Sequence, residues 1–451
     1  MRRIGRYEVL GLLGRGGMGA VYKVRLPALG KVLALKLLAP TPFLVSLLGM
    51  VEIRRRFLAE ARILAGLNHP NIASVWDMGH ARGRPFFVME YFCRDLGQLI
   101  GEGERLEDPS RRLPLPRAAH YARQTLAGLS RLHHAGIVHR DIKPFNLLLT
   151  DQDQVKIADF GLSRPRGMPA RHDPGGLKVG SPYYAPPEQE RDPDRATPRA
   201  DLYALAVTLH RMLTGVLPVW PLAGDRLPSR LSLDLDGEWD AFFARALHPD
   251  PERRPGSAQA MTEELDLLEN DWRGRVRQAC RLEEAPRAPQ CPPGTPVPPR
   301  SAPLKAFGPG AAAAQDLDAL WRPACYAAPL LTATGRTVRD AASGLVWQRG
   351  GTPYPLSWPQ AWDYVAQLNA RREDGAHGWR LPTVAELASI LTPPPEFMGH
   401  CLDPVFDPDK RLLWSADRRT FTQAWYADAE AGAFCWADHT CLRHVRAVRT
   451  A

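Results

Sequence analysis

A short segment near the middle of the chain carries the residue types that phosphoryl transfer requires. The segment His139–Asn146 reads His-Arg-Asp-Ile-Lys-Pro-Phe-Asn, and an Asp-Phe-Gly string begins 13 residues after it, at Asp159. Transfer of a phosphoryl group needs a carboxylate that orients the attacking hydroxyl and a cation beside the transferred group. We expect Asp141 to supply the carboxylate and Lys143 to supply the cation.

The same two strings also offer metal ligands. Phosphoryl transfer places metal ions on the β- and γ-phosphates of the nucleotide. Carboxylate and amide oxygens suit Mg²⁺, a hard ion that keeps several of its waters. Asn146 and Asp159 are therefore the expected magnesium ligands.

A glycine-rich string near the start of the chain could hold a polyphosphate. Residues 14–21 read Gly-Arg-Gly-Gly-Met-Gly-Ala-Val between two β-like stretches. Glycine lets backbone N–H groups approach phosphate oxygens where a side chain would clash. A dinucleotide site would need a helix directly after the glycines, whereas a strand is predicted here, and the motif alone also fits a plain hairpin. The residues expected to contact the nucleotide are Gly14, Gly16, Gly17, Gly19 and Val21.

A lone cation, Lys36, ends the apolar run Val32–Leu35. A charge in a buried strand is costly unless it is paired. Glu60, on a helix predicted from Ile53 to Leu67, is the candidate partner, and the pair would hold the lysine amine against the α- and β-phosphates. Taken singly, both residues also fit ordinary surface positions.

These motifs must be positioned by a strand-rich start and a helical remainder, which is an α+β arrangement. Apolar periodicity predicts the following elements: strands within 7–10, 20–24, 32–36 and 86–89, helices from Ile53 to Leu67 and from Pro116 to His134, and further helices beyond residue 196. Eight prolines fall within residues 285–303, which favours a stiff, extended spacer. We therefore expect a first domain over 1–268, a helical extension and linker over 269–330, and a second domain over 331–451.

Residues 7 to about 268 resemble the eukaryotic-type (Hanks-type) protein kinases, in the version widespread in bacteria. The order of motifs matches: glycine loop, Lys36, Glu60, His-Arg-Asp, Asp-Phe-Gly, then Ala185–Gln189, Asp201 and Arg254. The resemblance implies a two-lobed fold that holds ATP and Mg²⁺ between a five-stranded N-terminal lobe and a helical C-terminal lobe. It also implies protein substrates with serine or threonine acceptors.

The resemblance assigns further roles by position. Met89 would be the gatekeeper, and Glu90 to Phe92 would form the hinge that binds adenine, with Glu90 and Phe92 as contacts. Glu188 and Arg254 resemble the family's buried ion pair. Lys143 and the pair Gly180-Ser181 resemble the serine/threonine branch rather than the tyrosine branch.

The chain departs from the family pattern in two places. Pro186 precedes Pro187-Glu188 where family members have alanine, which stiffens the turn before the glutamate. Residues 164–180 contain no serine, threonine or tyrosine, so a phosphate in this loop lacks an acceptor. We expect Arg140 to pair with Asp173 or with nothing, and activity to be independent of phosphorylation in this loop.

The last 120 residues contain seven tryptophans and resemble the Lcl C-terminal domain family of bacterial collagen-like adhesins. The matching strings are Ser-Gly-Leu-Val-Trp-Gln at 343–348, the Trp-Arg-Leu-Pro-Thr string at 379–383, Leu-Trp-Ser-Ala at 413–416 and Val-Arg-Ala-Val-Arg at 445–449. The resemblance implies a compact α+β module, akin to C-type-lectin-like folds, that binds an unknown ligand. Most of its tryptophans are expected in the core.

The composition and net charge of the chain bear on its class, its partners and its location. A charged fraction of 24% and a hydrophobic fraction of 45% are ordinary globular values. The net charge of +9 has no compact basic run, so we expect no nucleic-acid partner. No apolar run reaches the 18–20 residues of a membrane span, and the start of the chain lacks a signal sequence. The sequence therefore predicts a cytoplasmic protein without a membrane anchor and with reduced thiols.

Three functions fit these observations to different degrees. An active protein kinase, whose second domain senses a ligand or recruits substrate, uses every motif. A pseudokinase scaffold would bind without transferring phosphate, and a small-molecule kinase of related fold would lack a protein substrate. Label transfer from ATP that vanishes in Asp141→Asn separates the first from the second.

Overall fold

A computed structural model of the chain describes residues 3–103, 105–160, 183–192, 196–279, 299–372, 375, 377–393 and 400–451, and the backbone of 164–165. The chain divides into two units, Met1–Arg273 and Gly274–Ala451. The predicted domain boundaries stay predictions, because residues 280–298 between the two units lie outside the described residues.

The first unit begins with an antiparallel sheet of five long strands and one short one. The strands are β1 (Arg3–Ile4), β2 (Tyr7–Arg15), β3 (Gly19–Leu26), β4 (Lys31–Leu38), β5 (Val75–Ala81) and β6 (Arg84–Glu90). Their order in the sheet is β1-β2-β3-β4-β6-β5. Because alternate side chains of a strand share a face, Leu33 and Leu35 of β4 meet Phe86 and Val88 of β6 in one apolar cluster.

Two helices follow β4, namely α1 (Pro42–Leu48) and α2 (Met50–Gly66). The Thr41 side chain caps α1 by accepting from the Leu44 N–H, and Gly49, with φ of 73°, separates the helices. The buried residues of α2 follow the helical period: Ile53, Phe57, Glu60, Ala61 and Leu64. The ring of Phe57 packs 5.1 Å from that of Phe87, between ring centroids, which fixes α2 against the sheet.

The remainder of the first unit is mainly helical, so the α+β fold class is confirmed. Its helices are α3 (Leu96–Ile100), α4 (Leu115–His134), α5 (Pro187–Arg191), α6 (Pro198–Thr214), α7 (Pro228–Leu231), α8 (Gly237–Ala246) and most of α9 (Ala258–Ala279). Its short strands are β7 (Arg94–Asp95), β8 (Ile137–Val138), β9 (Leu147–Leu149), β10 (Val155–Ile157) and β11 (Arg164–Pro165). They form two small sheets, β10-β9-β7 and β11-β8. These sheets hold both ends of the segment that contains His-Arg-Asp and Asp159.

The second unit has two antiparallel sheets. One consists of β12 (Leu331–Thr334), β13 (Thr337–Asp340), β14 (Leu345–Gln348) and β18 (Val448–Thr450), and the other of β15 (Leu412–Arg418), β16 (Gln423–Asp428) and β17 (Ala433–Asp438). Its helices are α10 (Ala311–Ala314), α11 (Trp358–Arg371) and α12 (Val384–Ala388). A capping box of Thr383 with Glu386 starts α12. A likeness to C-type-lectin folds stays a prediction.

Most tryptophans of the second unit are core residues, as predicted. Trp347, Trp414 and Trp425 are fully buried, and Trp358 and Trp379 are 5% and 2% exposed. The alternating string Val-Arg-Ala-Val-Arg predicts a last strand over 445–449, whereas the strand spans 448–450. Arg446 lies outside it, and its guanidinium instead donates to backbone carbonyls of neighbouring segments.

Two further observations concern helix length and the cysteines. Among the described residues, no helix is long and apolar enough to cross a membrane. The expectation of reduced thiols is wrong for Cys93, Cys325 and Cys441, which are disulfide-bonded. Cys401 and Cys435 are free and buried.

Candidate active site

Three charged side chains meet beneath the glycine-rich strands. The Lys36 amine donates to Glu60 Oε1 at 2.7 Å and to Asp159 Oδ1 at 2.9 Å. Lys36 comes from β4, Glu60 from α2, and Asp159 follows β10 by two residues. Lys36 and Glu60 are only 9% and 2% exposed, so the ion pair satisfies charges that burial alone would strongly disfavour.

The electrostatics of this cluster keep the amine and Asp159 charged. Burial opposes the charge on Lys36, but the carboxylates of Asp159 and Glu60 outweigh it and raise the pKa of the lysine above its usual value. The Lys36 ammonium in turn lowers the pKa of Asp159 to about 2. An ionised carboxylate at Asp159 is the form that can ligate a metal.

The residues His139 to Asn146 form a loop in which three side chains converge. Asp141 Oδ2 accepts from the Lys143 amine at 3.0 Å and from the Asn146 side-chain amide at 2.9 Å. The same Asn146 nitrogen donates to the Asp141 carbonyl at 2.7 Å. Both bonds use the N–H groups of Asn146, so its amide oxygen remains an acceptor for a metal.

The backbone around this loop is held in an unusual conformation. Arg140 and Asp159 have φ of 71° and 61°, which places non-glycine residues in the left-handed region. Such conformations cost about 1–3 kcal/mol each and persist only where the surroundings enforce them. Phe160 is buried against the ring of His139, with 4.8 Å between ring centroids, and this contact joins the two motifs.

Asp201, in the first turn of α6, fixes the start of the loop. Its carboxylate accepts from the backbone N–H groups of His139 at 2.9 Å and Arg140 at 2.7 Å, and from the His133 ring at 2.8 Å. Burial opposes its ionisation, yet His133 and the loop N–H groups lower its pKa. On the other side, the Gln189 side chain donates to the Arg140 carbonyl at 2.7 Å. The resemblance to the kinase family singled out Asp201 in the sequence. These contacts show its role, which is to fix the backbone at His139 and Arg140.

The glycine-rich string forms the turn between β2 and β3, next to Lys36. Val21 of β3 lies directly opposite Lys36 of β4 in the sheet register. The Gly16 N–H donates to the Gly19 carbonyl at 2.9 Å. Among the described residues, no atom outside the adjoining positions lies within 4 Å of a Cβ added at Gly14 or Gly16, so no described contact requires glycine there.

Gly19 is different, because a Cβ there would lie 2.3 Å from the Leu37 carbonyl oxygen of the neighbouring strand. Gly19→Ala should force β3 and β4 apart and lower the free energy of unfolding by about 1–3 kcal/mol. Gly16→Ala is the matched control, because its Cβ enters open space, and its unfolding midpoint should stay near that of the wild type. Thermal or urea unfolding measures both, and equal midpoints for the two variants would refute this reason for the glycine.

The expected hinge lies at the end of β6. Met89 is buried at 9% exposure, and Glu90, the last residue of the strand, pairs with Leu33 of β4 in the register. Phe92 follows two residues later and is half-buried. The structure thus places Glu90 and Phe92 at the junction between the sheet and the helical part of the unit.

Two carboxylates near the loop were not singled out from the sequence. Asp95 caps α3 by accepting from the Gln98 N–H at 2.8 Å, and its position before a helix was the available signal. Glu102 is 8% exposed and accepts from the Tyr184 hydroxyl at 2.7 Å. Burial raises the pKa of Glu102, against the opposing effects of Tyr184, Arg211 and Lys143. No sequence pattern distinguished Glu102 from its acidic neighbours.

The ion pair expected between Glu188 and Arg254 is present and bidentate, with N–O distances of 2.6 and 2.8 Å. The Arg254 side chain is fully buried. Glu188→Ala would leave that guanidinium without its carboxylate, and removing one partner of a buried pair costs about 3–5 kcal/mol. The expected result is a correspondingly lower free energy of unfolding in urea. Glu190→Ala, an exposed acid on the same helix, is the control, and similar losses in both variants would contradict the pair's role.

Some sequence-based expectations lie outside the described residues. They concern Gly161, the loop 166–180 with Asp173, and the pair Gly180-Ser181. The pairing predicted between Arg140 and Asp173 therefore stays a prediction.

Comparison with known families gives two matches. Residues 7–265 match the protein kinase domain family, and residues 336–449 match the Lcl C-terminal domain family.

Curated relatives match at similar levels of identity. Serine/threonine-protein kinase pkn3 of Myxococcus xanthus is 35% identical over 62% of this chain and 52% of its own length. Serine/threonine-protein kinase PksC of Streptomyces coelicolor is 35% identical over 58% of this chain and 48% of its own length. Serine/threonine-protein kinase PknL of Mycobacterium tuberculosis is 35% identical over 58% of this chain and 65% of its own length. The chain spans about half the length of the first of these relatives.

Among solved structures, the PknI kinase domain of Mycobacterium tuberculosis matches with 29% identity and a TM-score of 0.45, over 59% of this chain and 98% of that one. The kinase family match alone covers more than half of the chain. With the site's geometry and the matched motifs, it shows that the chain belongs to the protein kinase family.

Proposed function

We propose that the chain is an ATP-dependent serine/threonine protein kinase that transfers the γ-phosphoryl group of ATP to hydroxyl groups of protein substrates. The observation that carries the proposal is the joint presence of two assembled clusters. One is Lys36 with Glu60 and Asp159, and the other is Asp141 with Lys143 and Asn146. Phosphoryl transfer depends almost entirely on such positioning and electrostatics, since the protein makes no covalent bond.

The nucleotide would lie between the sheet and the helical part of the first unit. Backbone N–H groups of Gly14, Gly16, Gly17 and Gly19 would face its phosphates, with Val21 beside them. The Lys36 amine would bind the α- and β-phosphates, held in place by Glu60. Glu90 and Phe92 would bind adenine at the end of β6.

The family generally uses magnesium, and the chemistry of the residues present fits that ion. Asp159 keeps an ionised carboxylate and its side chain is 51% exposed, so it is both charged and accessible. Asn146 offers an amide oxygen, as its N–H groups are engaged by Asp141. Bound magnesium would neutralise charge that develops on the β- and γ-phosphates. Asn146 and Asp159 are the residues that would hold it.

The reacting hydroxyl would be oriented by Asp141. The Asp141 carboxylate is itself fixed by Lys143 and Asn146, so its free rotation is limited and it can meet an incoming hydroxyl in one geometry. Lys143, whose amine is 3.0 Å from Asp141, would also balance charge on the transferred group.

We further propose that activity does not require a phosphate in the segment 164–180, which has no hydroxyl side chain. Phosphatase treatment should then leave the rate unchanged. A loss of activity that ATP restores would contradict this.

The second unit would sense a ligand or recruit substrate. A cytoplasmic location remains a prediction from the sequence.

The direct experiment uses the full chain with Mg²⁺, radiolabelled ATP and a generic basic protein, followed by phosphoamino-acid analysis. We expect label on serine and threonine. Nucleotide binding without any transfer would favour a pseudokinase scaffold, and label found only on tyrosine would overturn the assignment of substrate class.

A further inference from the structure

The second unit contains a cleft of about 550 Å³ that none of the kinase motifs uses. One wall comes from the turn before β13 and from the end of β14, and the opposite wall is the segment Pro404–Pro408. Tyr364 of α11 completes the lining. The volume falls within the range of about 300–1,000 Å³ that is typical of small-molecule sites.

The two walls are joined by direct hydrogen bonds, so the cleft is a formed feature of the unit. Within the first wall, the Arg349 N–H donates to the Arg336 carbonyl at 2.8 Å. Between the walls, the Arg349 Nε donates to the Val405 carbonyl at 3.0 Å. The Asp407 N–H donates to the Arg349 carbonyl at 3.3 Å. Arg349 therefore connects β14 to the facing segment. Within the described part of the chain, its two terminal amino groups have no partner.

Among the described lining residues, guanidinium groups outnumber carboxylates. Arg336 and Arg349 contribute two guanidinium groups, whereas Asp407 is the one carboxylate among the described lining residues. The Lys410 amine lies 3.8 Å from Asp407 and offsets its charge. A cleft with walls of low dielectric concentrates such a field and favours an anion.

A further cation lies against the lining. Arg446 is fully buried and donates to the carbonyls of Gln348, Arg349 and Asp407, all of which belong to lining residues. Its Nε is buried and has no partner among the described residues. No carboxylate forms an ion pair with Arg446 in the described residues, so its charge adds to the positive field of the cleft.

The rest of the lining is apolar or neutral. Pro404 and Val405 form an apolar side, and behind them the Phe406 ring is buried, with the Arg446 guanidinium 4.7 Å from its centroid. The Gln348 side chain donates to the Tyr364 hydroxyl at 3.0 Å and thereby fixes the aromatic ring on the other side. A ligand that fits must present both a negative charge and an apolar body.

We propose that this cleft binds a small organic acid, namely a carboxylate attached to an apolar group about the size of one ring. The carboxylate would face Arg336 and Arg349, which suit planar, bidentate recognition. The apolar group would lie between Tyr364 and the side formed by Pro404 and Val405. The proposal concerns the second unit and holds whether or not the first unit transfers phosphate.

The test is ligand-observed NMR and calorimetry on the full chain, with benzoate as the probe. Benzamide serves as the uncharged counterpart and inorganic phosphate as the anion without an apolar group. We expect saturable binding of benzoate that weakens about tenfold or more in Arg349→Gln and in Arg336→Gln. Benzamide and phosphate should both bind about tenfold more weakly than benzoate. Arg371→Gln, an exposed arginine at the end of α11, is the control and should bind benzoate as the wild type does.

Thermal unfolding shows whether each variant is folded, and the exposed Arg336 provides a second variant if Arg349→Gln is unstable. Equal benzoate affinity in the wild type and both cleft variants would overturn the proposal. No saturable binding of benzoate would overturn it as well. Phosphate that binds as tightly as benzoate would refute the requirement for an apolar group. Benzamide that binds as tightly as benzoate would refute the requirement for a negative charge.

Discussion

Replacing Asp141 by asparagine is expected to lower kcat for phosphoryl transfer by about 10²–10⁴-fold, the range for loss of a positioned acid–base group. The asparagine can still accept a hydrogen bond from Lys143, so the loop should keep its shape. It cannot supply the negative charge that orients the hydroxyl of the substrate. The measurement is the initial rate of label transfer from ATP at saturating substrate, together with the dissociation constant for ATP, which should change little.

The control for this substitution is Asp225→Asn, which removes the same charge from an exposed position in the first unit. It should leave kcat unchanged. A full rate in Asp141→Asn, with unchanged unfolding behaviour, would remove the role assigned to this carboxylate.

Replacing Lys36 by methionine is expected to reduce both activity and stability. Activity should fall because the amine that we propose to bind the α- and β-phosphates is gone. Stability should fall because Glu60, 2% exposed, loses its partner at 2.7 Å. Breaking a buried pair costs about 3–5 kcal/mol.

The stability loss in Lys36→Met should depend on pH in a defined direction. Burial already raises the pKa of Glu60 above its ordinary 4.5, and removal of the lysine raises it further. A carboxyl group whose folded pKa is raised stabilises the fold below its unfolded pKa, and this contribution is lost as pH rises through the folded pKa. The variant should therefore be closest to the wild type near pH 4 and fall behind it toward pH 8.

Urea unfolding across this pH range is the measurement, and Lys31→Met is the matched control from the exposed start of the same strand. A stability difference between Lys36→Met and the wild type that stays constant with pH would contradict the buried pair. Normal transfer rates in Lys36→Met would contradict the role of the amine.

The elements that carry the site could be predicted because local patterns and chemistry agree there. Apolar periodicity placed the helix around Glu60 and the strand that ends near Lys36. The cost of a buried charge then paired these two residues across 24 positions of sequence, and the structure brings them into contact. Asp141 and Asn146 are only five positions apart, so a single loop is enough to bring their side chains together.

Other features depend on contacts that no local pattern encodes. Gly19 meets the Leu37 carbonyl across the sheet, so its physical constraint is visible only in three dimensions. The buried Glu102 side chain accepts a hydrogen bond from the Tyr184 hydroxyl, which is 82 positions away in sequence. The cleft of the second unit likewise joins segments near 336, 349 and 405.

The last strand illustrates the same limit for secondary structure. The alternation Val-Arg-Ala-Val-Arg predicts a strand over 445–449, but β18 begins only at Val448. The residues before it do not continue the strand but bond to other segments. The Val445 N–H, for example, donates to the Thr352 side chain. Arg446 is fully buried rather than solvated. Tertiary contacts override the period-two pattern there.

Calorimetric titration of ATP into the full chain, with and without Mg²⁺, tests the central claim most directly. The claim is that Lys36, Asn146 and Asp159 surround one site that holds the nucleotide and the metal together. We expect Mg²⁺ to tighten ATP binding about tenfold or more in the wild type, and Asp159→Asn to abolish that tightening while binding of ATP alone remains. ATP that binds equally well with and without Mg²⁺, or does not bind at all, would contradict the account.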